Sequence, residues 1–484
     1  MVSLTAAPGA AYIGGSWRPG TGADLDVIDP AIGERVSSVP GCSSDDVPAA
    51  LRTAREAQES WRRTPAPTRS RYLREMRNVL LRHVDRLADI LVVEGGKPRA
   101  EAVGEVEFAA DYLQYMAEWD RRIEGHVLPS DSEDERIELL RVPLGTVVAI
   151  CPWNYPIAVM FRKVAPALLT GNCVVVKPSE VTPLSSVAAM SLVAEEVDLP
   201  PGVLNLMSGG RDVGAALVGS PLTDMVTMTG HRDTGKAIMA AAAANMTRVS
   251  LELGGKAPAI VCADADVDAA VAALIFARFQ HSGQVCTCAE RILVDRTRYD
   301  EFVYSYRSAA EKIRVGHPMG DVEMGPVVSA AQLAKVEAIV ERAREQGAAI
   351  ETGGGRPEGA AFERGYWYAP TVVTSVTPEM DVMVEEAFGP VTPIWPFGSL
   401  DEAIRVANAS RYGLSGFVFT SDYRTAMRTV DRLACGEVYV NRTHGEALQG
   451  FHVGHKESGI GGEDGLYGVL EYTQLKSVYH YYGD

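Results

Sequence analysis

No run of apolar residues in this 484-residue chain approaches the ~20 needed to cross a bilayer as a helix, so no membrane span is expected. The N-terminal stretch MVSLTAAPGAAYIGGSW has neither a basic n-region nor a long apolar core, and no secretory signal is read there. Cysteine is scarce. The seven thiols, Cys42, Cys151, Cys173, Cys262, Cys286, Cys288 and Cys435, are odd in number and lack framework spacing. That argues against a disulfide scaffold and for reduced thiols in a cytoplasmic protein. Basic residues are outnumbered: 46 Lys and Arg stand against 63 Asp and Glu, a net charge of −17, with no basic stripe. Nucleic acid is therefore not an expected partner, and the interspersed acidic residues read as a solvated surface. Internal repeats and low-complexity linkers are absent. So is the G-x-G-x-x-G loop, the ordinary dinucleotide fingerprint.

What remains is apolar mass and alternation. With 46% apolar residues over this length, the chain can bury large cores but not as one compact unit, and two or three domains are expected. Residues 44–120 carry a helical period: Val47, Ala50 and Leu51, then Tyr72, Leu73, Met76, Val79 and Leu80. A polar, acidic segment over 124–146 leads into Ile137, Leu139, Leu140 and Val142, and reads as an arm reaching away from the body. From 146 the pattern alternates. Strands are expected at Val147–Ile150, Cys173–Val176, Val203–Met207, Met225–Met228, Val249–Leu253 and Ala259–Cys262. Helices are expected at Leu184–Val197, Asp212–Leu217 and Thr234–Met246. This order predicts an α/β fold with a parallel sheet covered by helices on both faces, binding ligands beyond the carboxyl ends of its strands. A second alternating block runs from Arg291 to Asn441, with strands near 292–294, 371–376, 416–420 and 437–441. Its helices fall near 298–313, 330–346 and 401–408. The tail, LEYTQLKSVYHYY, is rich in β-formers and is expected to pair with the arm.

One segment comes close to a P-loop. "GHRDTGKA", Gly230 to Ala237, follows a strand and opens a helix, but Ala237 stands where a magnesium-ligating Ser or Thr belongs. A magnesium-dependent NTPase is thus a remote reading. A helix N-terminus that holds a pyrophosphate without metal is another, and a plain strand-to-helix turn is the third. Four further segments place polar residues at strand ends: "CPWNYP" with Asn154, "VVVKPSE" with Lys177 and Glu180, "LELGGK" with Glu252, and "EEAFGP" with Glu386 and Phe388. The stretch "HSGQVCTCAERILV" then sets Cys286 and Cys288 two residues apart in a turn. A turn cysteine is usually a small buried hydrophobe.

Together these five motifs resemble the aldehyde dehydrogenase superfamily, in order and spacing, over nearly the whole chain. The resemblance implies a Rossmann-like cofactor domain (1–123 and 145–253), a catalytic α/β domain (254–455) and an oligomerisation β-arm (124–144 and 468–484). It implies NAD as cofactor, with Pro152, Trp153, Lys177, Glu180, Gly230, His231, Gly235, Leu253, Glu386 and Phe388 around it. A carboxylate at Glu180 repels a 2′-phosphate. His231 and Arg232 depart from the usual Gly-Ser, so NADP stays open. By the same resemblance Cys286 is the nucleophile that adds to the aldehyde, and Asn154 with the Cys286 N–H stabilises the oxyanion. Glu252 activates water against the thioester. Glu463 matches a position linked to the water path, and Cys288 reads as packing. No metal is expected, because His452 and His455 lack an evident third ligand.

Within the family, "YMAEWDRRIEG", "FRKVAPALLTGN", "SGQVCTCAER" and "GEALQGFHVGHKESGIGGEDG" are most similar to lactaldehyde and glycolaldehyde dehydrogenases. That likeness implies a small polar 2-hydroxyaldehyde substrate, with Arg162, Glu446 and His452 at the substrate mouth. An ion pair on a helix face is an equal reading for Arg162. Gly445 stands where an aromatic is expected, which would enlarge the pocket. The alternative substrate is a semialdehyde or another functionalised aldehyde bearing a carboxylate or phosphonate. A homodimer or homotetramer is expected from the arm.

Overall fold

The computed structural model describes residues 8–484. Residues 1–7, which begin both the stretch searched for a signal and the first expected domain, lie outside the described residues. Two large sheets form the body. The first has eight strands in the order Ser16–Arg18, Ala11–Ile13, Leu204–Met207, Cys173–Lys177, Thr146–Ile150, Met225–Thr229, Arg248–Glu252, Gly459–Ile460. Its five central strands are parallel, and the two ends are closed by antiparallel pairs. Counted along the chain, the central strands lie in the order 3-2-1-4-5. The order therefore reverses between Thr146–Ile150 and Met225–Thr229, a switch point beside which such sheets bind ligands.

The second sheet has seven strands in the order Ala349–Thr352, Thr371–Thr374, Val391–Phe397, Ala289–Asp295, Ala257–Val261, Ser415–Phe419, Glu437–Val440, all parallel except the first. A third, three-stranded sheet is the arm. Thr473–Tyr481 pairs antiparallel with Glu135–Pro143 over nine residues, and His126–Leu128 pairs on the other side. The tail thus joins the arm as its composition suggests, although 468–471 belong to the helix Gly465–Glu471.

The strands of both sheets alternate with the expected helices, within a few residues at each end. The sequence reading omits several elements, two of them instructive. The helix Pro156–Leu169 has all fourteen residues buried, and only Arg162 and Lys163 mark a polar side. The strand Val391–Phe397 contains Pro393 and Pro396, residues that argue against an interior strand, yet it sits between two others. The first sheet and its helices bury one continuous core, and the second sheet packs three smaller ones. All seven cysteines are free. Among the described residues, no helix is long and apolar enough to cross a membrane.

Candidate active site

The helix Val267–Phe279 runs into a tight turn, Gln280–Gly283, where His281 (φ 46°) and Ser282 (φ 56°) take left-handed backbone. Non-glycine residues adopt that region at a cost. The turn is held by Ser282 Oγ, which donates to Gly325 O at 2.8 Å, and by Gln284 Oε1, which accepts from Val328 N at 2.9 Å. It leaves Cys286 partly exposed and Cys288 fully buried, with Cys288 Sγ 2.9 Å from Arg278 Nη1. Cys288 is thus a packing residue. Gly255 is required beside this loop, since a Cβ there would lie 2.5 Å from the Cys286 carbonyl oxygen.

Asn154 follows the strand Thr146–Ile150 and is buried. Its Nδ2 donates to Gln284 O at 2.9 Å, which ties it to the cysteine loop and leaves a second N–H for a ligand. Glu252 ends the strand Arg248–Glu252 and is 2% exposed. Neither of its oxygens has a hydrogen-bond partner among the described residues. Burial pushes its carboxyl up to about 8, against the opposing pull of His452. Such an acid ionises close to neutral pH, where a general base is most useful. His452 Nε2 lies 3.5 Å from Glu252 Oε2, and its ring also interacts with the Cys286 thiol, favouring the ionised form. Burial raises the Cys286 thiol above its ordinary value, and His452 and Arg162 oppose that rise.

On the sheet side, Lys177 Nζ reaches Glu180 Oε2 at 3.1 Å. Gly230 donates to Glu252 O at 3.0 Å, linking the strand-end turn to the candidate base. His231 caps the helix Arg232–Ala242 by accepting from Asp233 N. Arg232 is paired with Asp233 and with Glu457, and Lys236, the lysine of the P-loop-like segment, also pairs with Glu457 at 3.0 Å. Gly235 packs against Leu253, with no room for a Cβ. Trp153 and Phe388 meet edge to face at 5.3 Å. Glu386 is buried, and its Oε1 accepts from Gly255 N at 2.8 Å. Pro152 stands between Cys151 and Trp153 at the same strand end.

Arg162 does not project freely into a substrate mouth. Its Nε donates to Asp464 Oδ1 at 2.8 Å, its Nη2 pairs with Asp464 Oδ2, and Nε lies 3.3 Å from Glu463 Oε2. Glu463 also pairs with Lys163. The ion-pair reading of Arg162 therefore describes these contacts, and Nη1 is the part of the guanidinium without a partner among the described residues. Glu446 comes within 3.8 Å of His452 Nδ1. Burial works against its ionisation, but His452 and Arg162 hold its carboxyl at about 2. His455 lies on an exposed two-residue strand away from this group. Gly445 (φ 133°) has ample space around it.

The sequence reading misses Glu437, which it takes only as the start of a strand, and it misses Lys163 and Asp464. Glu437, Glu446 and His452 each offer a donor atom within 4.8 Å of the others, the span of a metal triad. Here His452 Nδ1 hydrogen-bonds Glu437 Oε1 at 3.0 Å, and Glu437 Oε2 accepts from the Tyr439 hydroxyl at 2.7 Å. We read the trio as a charge-assisted hydrogen-bond network. No local motif gives it away: Glu437 and His452 lie fifteen residues apart and meet because Gly436 lets the strand approach Val453, where a Cβ would be 1.7 Å from a carbonyl oxygen.

A thiol beside a buried acid, placed where a 3-2-1-4-5 sheet opens for a dinucleotide, is the arrangement of an oxidoreductase that works through a cysteine adduct. The chain belongs to the aldehyde dehydrogenase family, whose model matches residues 17–478. It is 45% identical to lactaldehyde dehydrogenase of Escherichia coli (strain K12), over 97% of this chain and 98% of that protein. A structure of 3,6-anhydro-L-galactose dehydrogenase in complex with NAP superposes with a TM-score of 0.95 at 43% identity, covering 97% of this chain and 99% of that one. A point mutant of betaine aldehyde dehydrogenase from Staphylococcus aureus in complex with NAD+ gives 0.95 at 36% identity, covering 97% of each chain.

Proposed function

We propose that this aldehyde dehydrogenase oxidises a small polar 2-hydroxyaldehyde, such as lactaldehyde or glycolaldehyde, to its acid with NAD. The observation that carries this reading is the convergence of Cys286, Glu252 and Asn154 with the ionic group Arg162, Glu446 and His452 in one place. The likeness to lactaldehyde dehydrogenase supports the choice of substrate.

The residues fit a dinucleotide. The turn Gly230–His231 opens an eleven-residue helix at the sheet's switch point, and Gly235 packs without a Cβ against Leu253. Lys177 and Glu180 would hold the adenosine ribose, and Glu386 and Phe388 the nicotinamide ribose, with Pro152 and Trp153 lining the passage between. Glu180 favours NAD. Arg232 is partly neutralised by Asp233 and Glu457, which weakens it as a 2′-phosphate ligand but does not remove it. The cofactor, when bound, accepts the hydride.

Cys286 Sγ adds to the aldehyde carbon, forming a C–S bond while the carbonyl electron pair moves to oxygen. Asn154 Nδ2 and the Cys286 N–H donate to that oxyanion. After hydride loss the acyl group remains on Cys286 as a thioester. Glu252 then takes a proton from water, which attacks the thioester and returns the free sulfur. Arg162 Nη1 and Glu446 face the substrate's polar end. Lys163 and Glu463 keep a compensated charge pair behind Glu252.

The cofactor-binding unit is assigned to 1–123 and 145–253, the catalytic unit to 254–455, and the arm to 124–144 with the tail strand Thr473–Tyr481, with a homodimer or homotetramer as the assembly and the cytoplasm as its place. The test of substrate is direct. Purified protein is assayed for NADH and NADPH formation with lactaldehyde, glycolaldehyde, succinate semialdehyde and a phosphonate-bearing aldehyde. The highest kcat/KM is expected for the 2-hydroxyaldehydes with NAD. A preference for the charged aldehydes would favour the second reading, for which the open space at Gly445 speaks.

A further inference from the structure

One ring nitrogen of His452 faces a carboxylate to which the chemistry above gives no role. Nδ1 lies 3.0 Å from Glu437 Oε1, and the far oxygen of Glu437 is held by Tyr439. The other side of the ring meets the reacting groups: it interacts with the Cys286 thiol, and Nε2 is 3.5 Å from Glu252 Oε2. The ring cannot swing out. His452 is 3% exposed, and its backbone N–H and C=O are both bonded to Glu463. A histidine with both nitrogens engaged in this way has little left to offer a substrate hydroxyl.

We propose that Glu437 is a positioning residue that orients His452 and stabilises its imidazolium, and that His452 keeps Cys286 as the attacking thiolate. The step is a proton transfer only. The Sγ–H bond of Cys286 breaks, an N–H bond forms on the ring nitrogen facing the sulfur, and Glu437 Oε1 accepts from Nδ1–H. The thiolate then adds to the aldehyde, and thioester hydrolysis returns the sulfur as thiolate beside the same imidazolium.

The charges around the ring favour this. Burial and Arg162 oppose the imidazolium, but Glu252, Cys286 and Glu437 outweigh them and hold it well above the ordinary histidine value. Glu446, Glu463 and Asp464 face the same ring and add to the attraction. Burial raises the Cys286 thiol, His452 works against that rise, and thiols are nucleophilic only as thiolates.

The inference rests on Cys286 as nucleophile but not on which aldehyde is oxidised. Its test therefore needs no turnover. The rate of iodoacetamide alkylation of the full-length protein is followed against pH, with Cys286→Ala giving the background from the other thiols. In Glu437→Gln the midpoint is expected to rise by about one pH unit, with alkylation about tenfold slower at neutral pH. Glu437→Asp should restore part of the shift, and kcat should fall while KM changes little. His452→Gln should shift the midpoint at least as far, and it serves if Glu437→Gln does not fold. An unchanged midpoint in either folded variant overturns the relay. So does activity that is lost on dialysis against EDTA and restored by a divalent cation, which would make the trio a metal site. If Cys286→Ala itself leaves alkylation and turnover unchanged, the nucleophile is misassigned and the functional reading fails with it.

Discussion

At the scale of single residues, Glu252 shows best how environment sets chemistry. It is a carboxylate by composition, yet a strand end sealed from water makes it an acid that ionises near pH 8. The expected steady-state rate therefore rises from pH 7 through about 8 as the base forms, wherever thioester hydrolysis limits turnover. Glu252→Gln should remove that limb and cost about 10²- to 10⁴-fold in kcat. A stoichiometric burst of NADH should survive, because the hydride step precedes the need for the base. Stopped-flow absorbance checks both, and loss of the burst together with turnover would place Glu252 in the first half-reaction. Cys286, Asn154 and Glu252 were singled out because the short motifs around them, two at strand ends and one in a turn, resemble those of the family. Glu437 was not, because its partner His452 reaches it only through tertiary packing. For Arg162 the sequence supplied a charge on a helix, and only Asp464, about three hundred residues on, decides what that charge touches.

At the scale of elements, a buried ionic cluster fixes the relation between the strand Ala289–Asp295 and the segment that carries Glu386 and Phe388. Glu290, on Ala289–Asp295, accepts from Ala387 N at 3.2 Å and Phe388 N at 2.9 Å, and pairs with Lys256 at 2.8 Å and Arg278 at 3.1 Å. All three charged side chains are essentially without exposure. Burial resists the ionisation of Glu290, but Arg278 and Lys256 overcome it and hold the carboxyl at about 2. Its folded value lies below its unfolded one, so the stability it contributes is present above about pH 4 and lost as pH falls toward 2. Glu290→Gln leaves two buried cations short of a partner and is expected to cost about 3–5 kcal/mol. Urea unfolding at pH 7 and at pH 3 measures it, and the difference between parent and variant should shrink at the lower pH. Alternating strands and helices were readable because each has its own hydrophobic period. The helix Pro156–Leu169 and the proline-bearing strand Val391–Phe397 were not, since only Arg162 and Lys163 mark a polar side on the one and proline masks the other.

At the scale of the whole molecule, the arm is the part that the described chain leaves uncovered. Register places Leu128, Ile137 and Tyr479 in one row, and Leu475, Leu139 and Tyr481 project from the same face of the three-stranded sheet. Leu475 is 53% exposed, Tyr479 64% and Tyr481 69%, a concentration of apolar surface that single chains seldom present to water. Both outer strands, His126–Leu128 and Thr473–Tyr481, also offer unpaired backbone edges. At the arm's root an open cavity of about 620 Å³ is lined by Phe451, Tyr467, Leu470 and Leu475, with Arg141 and Arg248 at its polar side. A second copy of the chain, laying its own arm across this face, would cover all three features at once. A charged pair of substitutions on the sheet face, Leu475→Glu with Tyr479→Glu, touches none of the residues assigned to catalysis. It is expected to lower the mass seen by light scattering from an even multiple of 52.0 kDa toward the single chain, with far-ultraviolet circular dichroism unchanged. An unchanged oligomer would mean that copies meet elsewhere, and the arm's apolar face would then need a different occupant.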